Sequence, residues 1–364
     1  MTQLFAGPAR SIRAAAKTAV FFLKVLPMLP SRPIDWVTRE PWVERVRVPT
    51  PGGETDADLY RPSGAAPQPA VVVCLGVVPF GVDHPQVPRL GAALARAGFA
   101  ALLYWSPAMR DLRLDPEDTE GIALAYRWLI DQSFVAPDIS GLLGTCVGGS
   151  FALMAAAEPV IRDRVAFVVA WAPYASMRTL ARDITSATSS SDEGPAPWAV
   201  DQLTRTVYVR TLTDVLEPGE AERLRTACAE RGGSLDGCDL STEGLAVYSL
   251  LTALDTSAVE AALDRLPTAM RERLEAMSPI RHLRDIHAPL ILLAHDCDDP
   301  VIPIGESRRL VAALDGRAGV RYTEFRMFKH LDPSKVRLPL VALARELAKF
   351  YRAVYPMFRQ AVEP

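Results

Sequence analysis

The sequence predicts an α/β fold: a mainly parallel sheet covered by helices on both faces, with a helical insertion before its last two strands. Three observations carry this expectation. Short apolar runs such as "AVVVCLG" (70–76) and "VAFVVAWAP" (165–173) show no polar alternation, as strands buried on both faces do. Helical stretches of ten or more residues separate these runs, the spacing parallel crossovers need. From Ala175 to Ile286 the alternation stops and no clear strand is legible, before it resumes with "APLILLAH" (288–295).

In chain order, "VERVRVP" (43–49) and "ADLYRP" (57–62) flank a turn-rich "TPGGETD" and read as an opening antiparallel pair. The buried strand 70–76 follows, then a helix at 89–98, the strand "FAALLYW" (99–105) and a helix at 117–132. "DISGLLG" leads to Cys146, and 165–173 is the next strand. Within the insertion, "ITSATSSSDEGPAP" (184–197) reads as a loop, followed by helical runs such as "SAVEAALDRLPTAMRERLEAM". After the strand at 288–295 come a helix at 306–316, the strand "RYTEFRMF" (321–328) and a closing helix at 338–354. The expected division is an N-terminal amphipathic helix and linker (1–40), a core in two parts (41–174 and 287–364), and a helical lid (175–286).

The 364 residues suit one large domain carrying an insertion. A net charge of −3 with acids and bases interspersed gives no nucleic-acid footprint. Cysteines 74, 146, 228, 238 and 297 are an odd set without a CxxC pair, which argues against a disulfide framework or a zinc site. Cys228 and Cys238 are near enough in sequence to pair, but a cytoplasmic, reducing setting is the expectation. In "RSIRAAAKTAVFFLKVLPMLP", Arg10, Arg13 and Lys17 precede an apolar run that Lys24 splits and Pro27 and Pro30 end. That is too short to span a bilayer. The expectation is an amphipathic helix on the domain or on a second subunit, with a peripheral membrane contact as the alternative.

The chemistry centres on Gly144-Thr145-Cys146-Val147-Gly148-Gly149, a strand running through a sharp turn into an alanine-rich helix. Such a turn projects its central side chain at the carboxyl edge of the sheet, and small neighbours let strand and helix approach closely. A cysteine there can instead be a small buried packing residue. A cysteine nucleophile wants an imidazole, and the imidazole a carboxylate. The expected chain order is nucleophile, acid after the penultimate strand, histidine after the last. "ILLAHDCDDPVIP" supplies acids at the first place and His330, in "FRMFKHLDP", fills the second.

Residues 70–350 resemble an α/β-hydrolase, on G-x-C-x-G-G and on "MSPIRHLRDIHAPLILLAHDCDDPVIP". Cysteine at the elbow is similar to the dienelactone hydrolases and the polyhydroxyalkanoate synthases. The superfamily's D-x-x-V-P pattern implies Asp299 as the acid, ahead of Asp298 and Asp296. His295-Asp296 stands where the superfamily often has His-Gly, and Asp296 reads as a turn residue more readily than as a second site carboxylate. Lys329-His330 departs from the Gly-His setting of the synthases, and the dienelactone hydrolases are usually compact, without such a lid.

The expected oxyanion donors are the amides of Val147 and, in the loop after the strand at 70–76, Val77. His84, Trp198, Tyr208 and Tyr248 are candidates to line a substrate cavity, while His282, His287 and His295 read as structural. The expected activity is a cysteine-dependent acyl hydrolase or acyltransferase on an ester, lactone or thioester, through Cys146, His330 and Asp299. The substrate expected is a medium-sized apolar acyl compound, and the scheme calls for no metal or cofactor. A non-covalent cyclase or isomerase, or an inactive binding protein on the same fold, are the rival readings.

Overall fold

The computed structural model describes residues 6–30, 32–64, 66–78, 84–191, 194–231, 233–235, 240–330 and 338–362. The first half comprises α1 (Ala6–Val25), α2 (Arg32–Val37), β1 (Trp42–Thr50), β2 (Gly53–Arg61), β3 (Ala70–Cys74), α3 (Gln86–Arg96), β4 (Ala100–Tyr104), α4 (Pro107–Arg110), α5 (Glu117–Ile130), β5 (Gly141–Thr145), α6 (Val147–Ala155) and β6 (Phe167–Trp171). Between β6 and the last two strands lie α7 (Met177–Ser186), β7 (Thr188–Ser191), β8 (Gly194–Pro197), α8 (Gln202–Thr213), α9 (Pro218–Ala227), α10 (Thr242–Thr252), α11 (Thr256–Arg265) and α12 (Thr268–Ala276). The chain closes with β9 (Leu290–Asp296), α13 (Ile304–Ala313), β10 (Val320–Phe325) and α14 (Leu340–Gln360).

Eight strands form one sheet in the order β1-β2-β4-β3-β5-β6-β9-β10, with β2 antiparallel to both its neighbours and all later pairs parallel. The inner strands β3, β4, β5, β6 and β9 are buried at every residue, which explains their unbroken apolar runs. Successive side chains feed two cores. Leu142 joins the layer of α5, α6 and the inserted helices, while Leu143 joins the layer of α1, α3 and α14. From β3 the chain steps to β4 on one side, then returns to β5 on the other. The β3/β5 crevice is thus the topological switch point, where open sheets of this kind bind ligands.

Several expectations change. The loop expected at 184–197 contains the end of α7 and a two-stranded ribbon, in which Thr188 pairs with Pro197 and Ser191 with Gly194. Its Ser- and Thr-rich composition hides the pairing because no apolar alternation marks it. The run 257–277 is two helices, α11 and α12, broken at Leu266-Pro267. α14 continues through Pro356 to Gln360, because Met357 and Phe358 are buried in the core beyond the proline.

The N-terminal helix packs on its own domain. Phe21 meets Phe358 at 5.4 Å between ring centroids, and the Tyr351 hydroxyl donates to the Ala15 carbonyl at 3.0 Å. Among the described residues no helix is long and apolar enough to cross a membrane. Cys74, Cys146, Cys228 and Cys297 are free thiols, and Cys238 lies outside the described residues.

Candidate active site

Cys146 stands between the end of β5 and the first turn of α6 with φ 56° and ψ −138°. A non-glycine residue held there costs on the order of 1–3 kcal/mol, so the surroundings must enforce it. They do so by close backbone approach. A Cβ added to Gly144 would collide with the Gly148 carbonyl oxygen, and one added to Gly148 with the Cys74 carbonyl oxygen. The Cys146 amide donates to the Trp171 carbonyl at 2.8 Å, fixing the turn to β6.

The loop after β3 is clamped to this turn. Thr145 Oγ1 donates to the Leu75 carbonyl at 2.9 Å. The chain then turns at Gly76, whose φ of 76° would strain any side chain. Val77 follows. Val147, as the first residue of α6, has an amide for which the helix offers no acceptor, and the helix dipole favours negative charge beside it. Val77, Val147, Cys146 and His330 all line one cavity.

His330 arrives from beyond β10. Phe328, two residues earlier, stacks edge-on against Trp171 at 4.8 Å and Phe350 at 5.2 Å. Lys329 and His330 both have positive φ, 35° and 58°. Glycine adopts such a backbone without strain, which is the physical sense of the Gly-His pattern from which this chain departs. His330 Nδ1 lies 2.8 Å from Asp299 Oδ2 and 2.9 Å from Oδ1, and the ring also hydrogen-bonds the Cys146 side chain. The structure therefore brings the side chains of Cys146, His330 and Asp299 together.

Asp299 Oδ1 also accepts the amides of Val301 at 2.8 Å and Ile302 at 3.1 Å. That turn is what the D-x-x-V-P spacing encodes. Burial pushes the Asp299 carboxyl up, but its bonds and attraction to His330 and His295 outweigh this and hold it below the usual range. Burial likewise pulls His330 down, yet its interactions with Cys146 and Asp299 hold it well above an ordinary histidine.

Asp296 acts as a buckle between two loops. It ends β9 fully buried, accepts the Asp298 amide at 3.0 Å, and accepts the Phe328 amide at 2.6 Å. One side chain thus joins the acid loop to the histidine loop. His295, beneath them, bonds Ser307 Oγ at 2.6 Å and the Ile302 carbonyl at 2.9 Å. Neither Asp296 as a link nor Thr145 as a clamp is assigned by the sequence. The one available signal is their adjacency to Cys146 and to the acid turn. His287 pairs with Asp163 at 2.6 Å far from the relay, in keeping with a structural part.

The cavity has a volume of about 830 Å³, within the ~300–1,000 Å³ usual for small-molecule sites. His84 and Tyr208 line it, Tyr208 with its hydroxyl bonded to Thr185 Oγ1 at 3.0 Å. Trp198 and Tyr248 do not line it. The Trp198 indole is turned to the Pro300 carbonyl at 3.1 Å, tying the insertion to the acid loop, and the Tyr248 hydroxyl accepts the Leu235 amide at 3.2 Å inside the insertion.

No family model matches the chain. A curated Bradyrhizobium protein, "Probable 2-oxo-3-(5-oxofuran-2-ylidene)propanoate lactonase", is 33% identical over 141 residues, 35% of this chain and 54% of the relative. The chain thus spans about half the length of that relative. Among solved structures, the uncomplexed Pyrococcus horikoshii acylaminoacyl peptidase is similar with a TM-score of 0.53 and 15% identity, over 88% of this chain and 42% of that one. DcsB in complex with its substrate analogue gives a TM-score of 0.52 and 14% identity, over 88% of this chain and 100% of that one. With the strand order above, these likenesses place the chain in the α/β-hydrolase fold.

Proposed function

We propose that this protein is a hydrolase of carboxylic esters or lactones that works through Cys146, His330 and Asp299. The observation that carries the reading is the relay at the sheet's switch point, opening directly into a cavity of ligand size. The curated relative's name denotes a lactonase, which supports an ester-type carbonyl as the target.

In this reading Asp299 fixes the His330 tautomer and stabilises its charged form. His330 takes the Cys146 thiol proton as the sulfur attacks the carbonyl carbon and a C–S bond forms. The carbonyl oxygen takes the negative charge, facing the Val77 and Val147 amides. Collapse breaks the acyl C–O bond, and His330 gives its proton to the departing alkoxide. A water then attacks the thioester with His330 as base. The acid is released and the thiol is restored. A thiol is a better leaving group than an alcohol, so the same intermediate also serves transfer to an alcohol, amine or thiol acceptor.

The test is the rate of hydrolysis of a panel of activated esters and lactones by the wild type and Cys146→Ala. Loss of at least about 10³-fold in kcat/KM is expected, as for nucleophiles acting within a relay. Activity surviving the substitution would move the assignment to a non-covalent reaction run by His330.

A further inference from the structure

The cavity straddles the sheet. On one side it is lined by the inserted segment, with Met177, Leu180, Ile184 and Val207. On the other it continues past Leu143, Val169 and Trp171, whose side chains face the opposite core, to a wall made by the two terminal helices. Phe21 and Val25 come from α1, and Phe350, Val354 and Met357 from α14. Cys146 and His330 sit where the two arms meet at the carboxyl edge of the strands.

We propose that the arm between α1 and α14 is an acyl-chain pocket, and that the N-terminal helix is therefore a substrate-binding element. The substrate it fits is the ester of an aliphatic acid. This deepens the reading above and rests on it for the position of the carbonyl. Two features assign the acyl group to this arm. The wall from α1 and α14 presents apolar side chains to the cavity, with Gln86 of α3 and His84 at its edge, whereas Asp201 and Thr204 line the side of the insertion. The acyl group is carried on sulfur between the two half-reactions, and beyond its carbonyl an aliphatic chain needs no hydrogen-bonding surroundings. The leaving alcohol and the incoming water do, because a polar group moved through an apolar passage without partners loses its hydrogen bonds to water without replacing them. The arm is also held open by rigid neighbours: Phe350 packs on Phe328 at 5.2 Å and on Trp171 at 5.5 Å, so its walls are fixed aromatic faces.

The test combines binding with chain-length selectivity. Dodecanoate is titrated calorimetrically into Cys146→Ala, alone and with Val354→Trp or Val25→Trp added to fill the arm from either helix. In the otherwise wild-type protein, kcat/KM is compared for 4-nitrophenyl dodecanoate and 4-nitrophenyl acetate. The expected result is that both filled variants bind dodecanoate at least tenfold more weakly. They should also lower the dodecanoate-to-acetate ratio at least tenfold, while Val207→Trp on the side of the insertion changes that ratio less than twofold. No binding of dodecanoate to Cys146→Ala overturns the pocket, as does binding untouched in both filled variants or a ratio that responds only to Val207→Trp. If dodecanoate binding depends on Val354 and Val25 but neither ester is turned over, the pocket stands and the cysteine mechanism falls. Retained near-ultraviolet circular dichroism in at least one of the two filled variants separates filling from unfolding.

Discussion

The two halves of the site are built by opposite means. The Cys146 half is shaped by missing side chains: at Gly144 and Gly148 a single Cβ would drive into backbone atoms of the neighbouring segment. The acid–base half is shaped by side chains that are present. Asp299 holds its own turn through two amides, and Asp296 bridges the turn to the histidine loop. A steric restraint permits one backbone path and fails abruptly. A hydrogen-bonded restraint can be removed a bond at a time. The comparison therefore sorts substitutions into those that break the fold around Cys146 and those that detune a standing relay.

The largest effect should come from Gly148→Ala. Its Cβ would meet carbonyl and amide atoms of the Cys74–Gly76 segment, none of which is the end of a flexible side chain. Destabilisation of about 3 kcal/mol or more is expected from overpacking of this kind, read as a lowered melting temperature. Gly149→Ala, whose nearest contact would be 3.2 Å, should cost distinctly less. Equal effects of the two would break the steric account of the turn.

The acid–base half should respond in graded fashion. Asp299→Asn leaves the turn nearly isosteric but removes the charge facing His330, and a loss of about 10³–10⁴-fold in kcat is expected. It also carries a pH signature. His330 is held above its ordinary value, so its charged form is kept to higher pH than that of an ordinary histidine and is lost as pH rises through that raised value. Without the carboxylate the loss should move to lower pH, read by the pH dependence of the His330 ring signals in nuclear magnetic resonance. Asp296→Asn should be the smallest change. It weakens acceptance of the Phe328 and Asp298 amides and loosens the histidine loop, so kcat falls about 10-fold while the His330 titration moves little. A titration shift as large as that of Asp299→Asn would make Asp296 part of the relay's charge and not its buckle.

The same contrast explains what could be read from the chain. The nucleophile turn is legible because its restraints are local: four of the six residues 144–149 form the close approach or the strained corner itself. Asp299 is legible through the resemblance to the superfamily's D-x-x-V-P pattern, and in the structure its carboxylate caps amides two and three residues on. His330 follows from the chain order of the sheet. Asp296 is not legible, because its partner at Phe328 is 32 residues away and an Asp after a strand reads as a turn. The cavity wall is harder still. Phe21 and Phe350 meet across nearly the whole chain, and their periodicity states only that each helix has an apolar face. Trp198 and Tyr248 were plausible cavity residues on composition, but hydrogen bonds to Pro300 and Leu235 turn them elsewhere.

The most direct measurement is the mass of the protein, acid-quenched during turnover of a 4-nitrophenyl ester and then mapped by peptide. The account predicts an increase equal to one acyl group, carried by the peptide containing Cys146 and absent from Cys146→Ala. Steady turnover with Cys146 unmodified, or an acyl group found only on another residue, would contradict it.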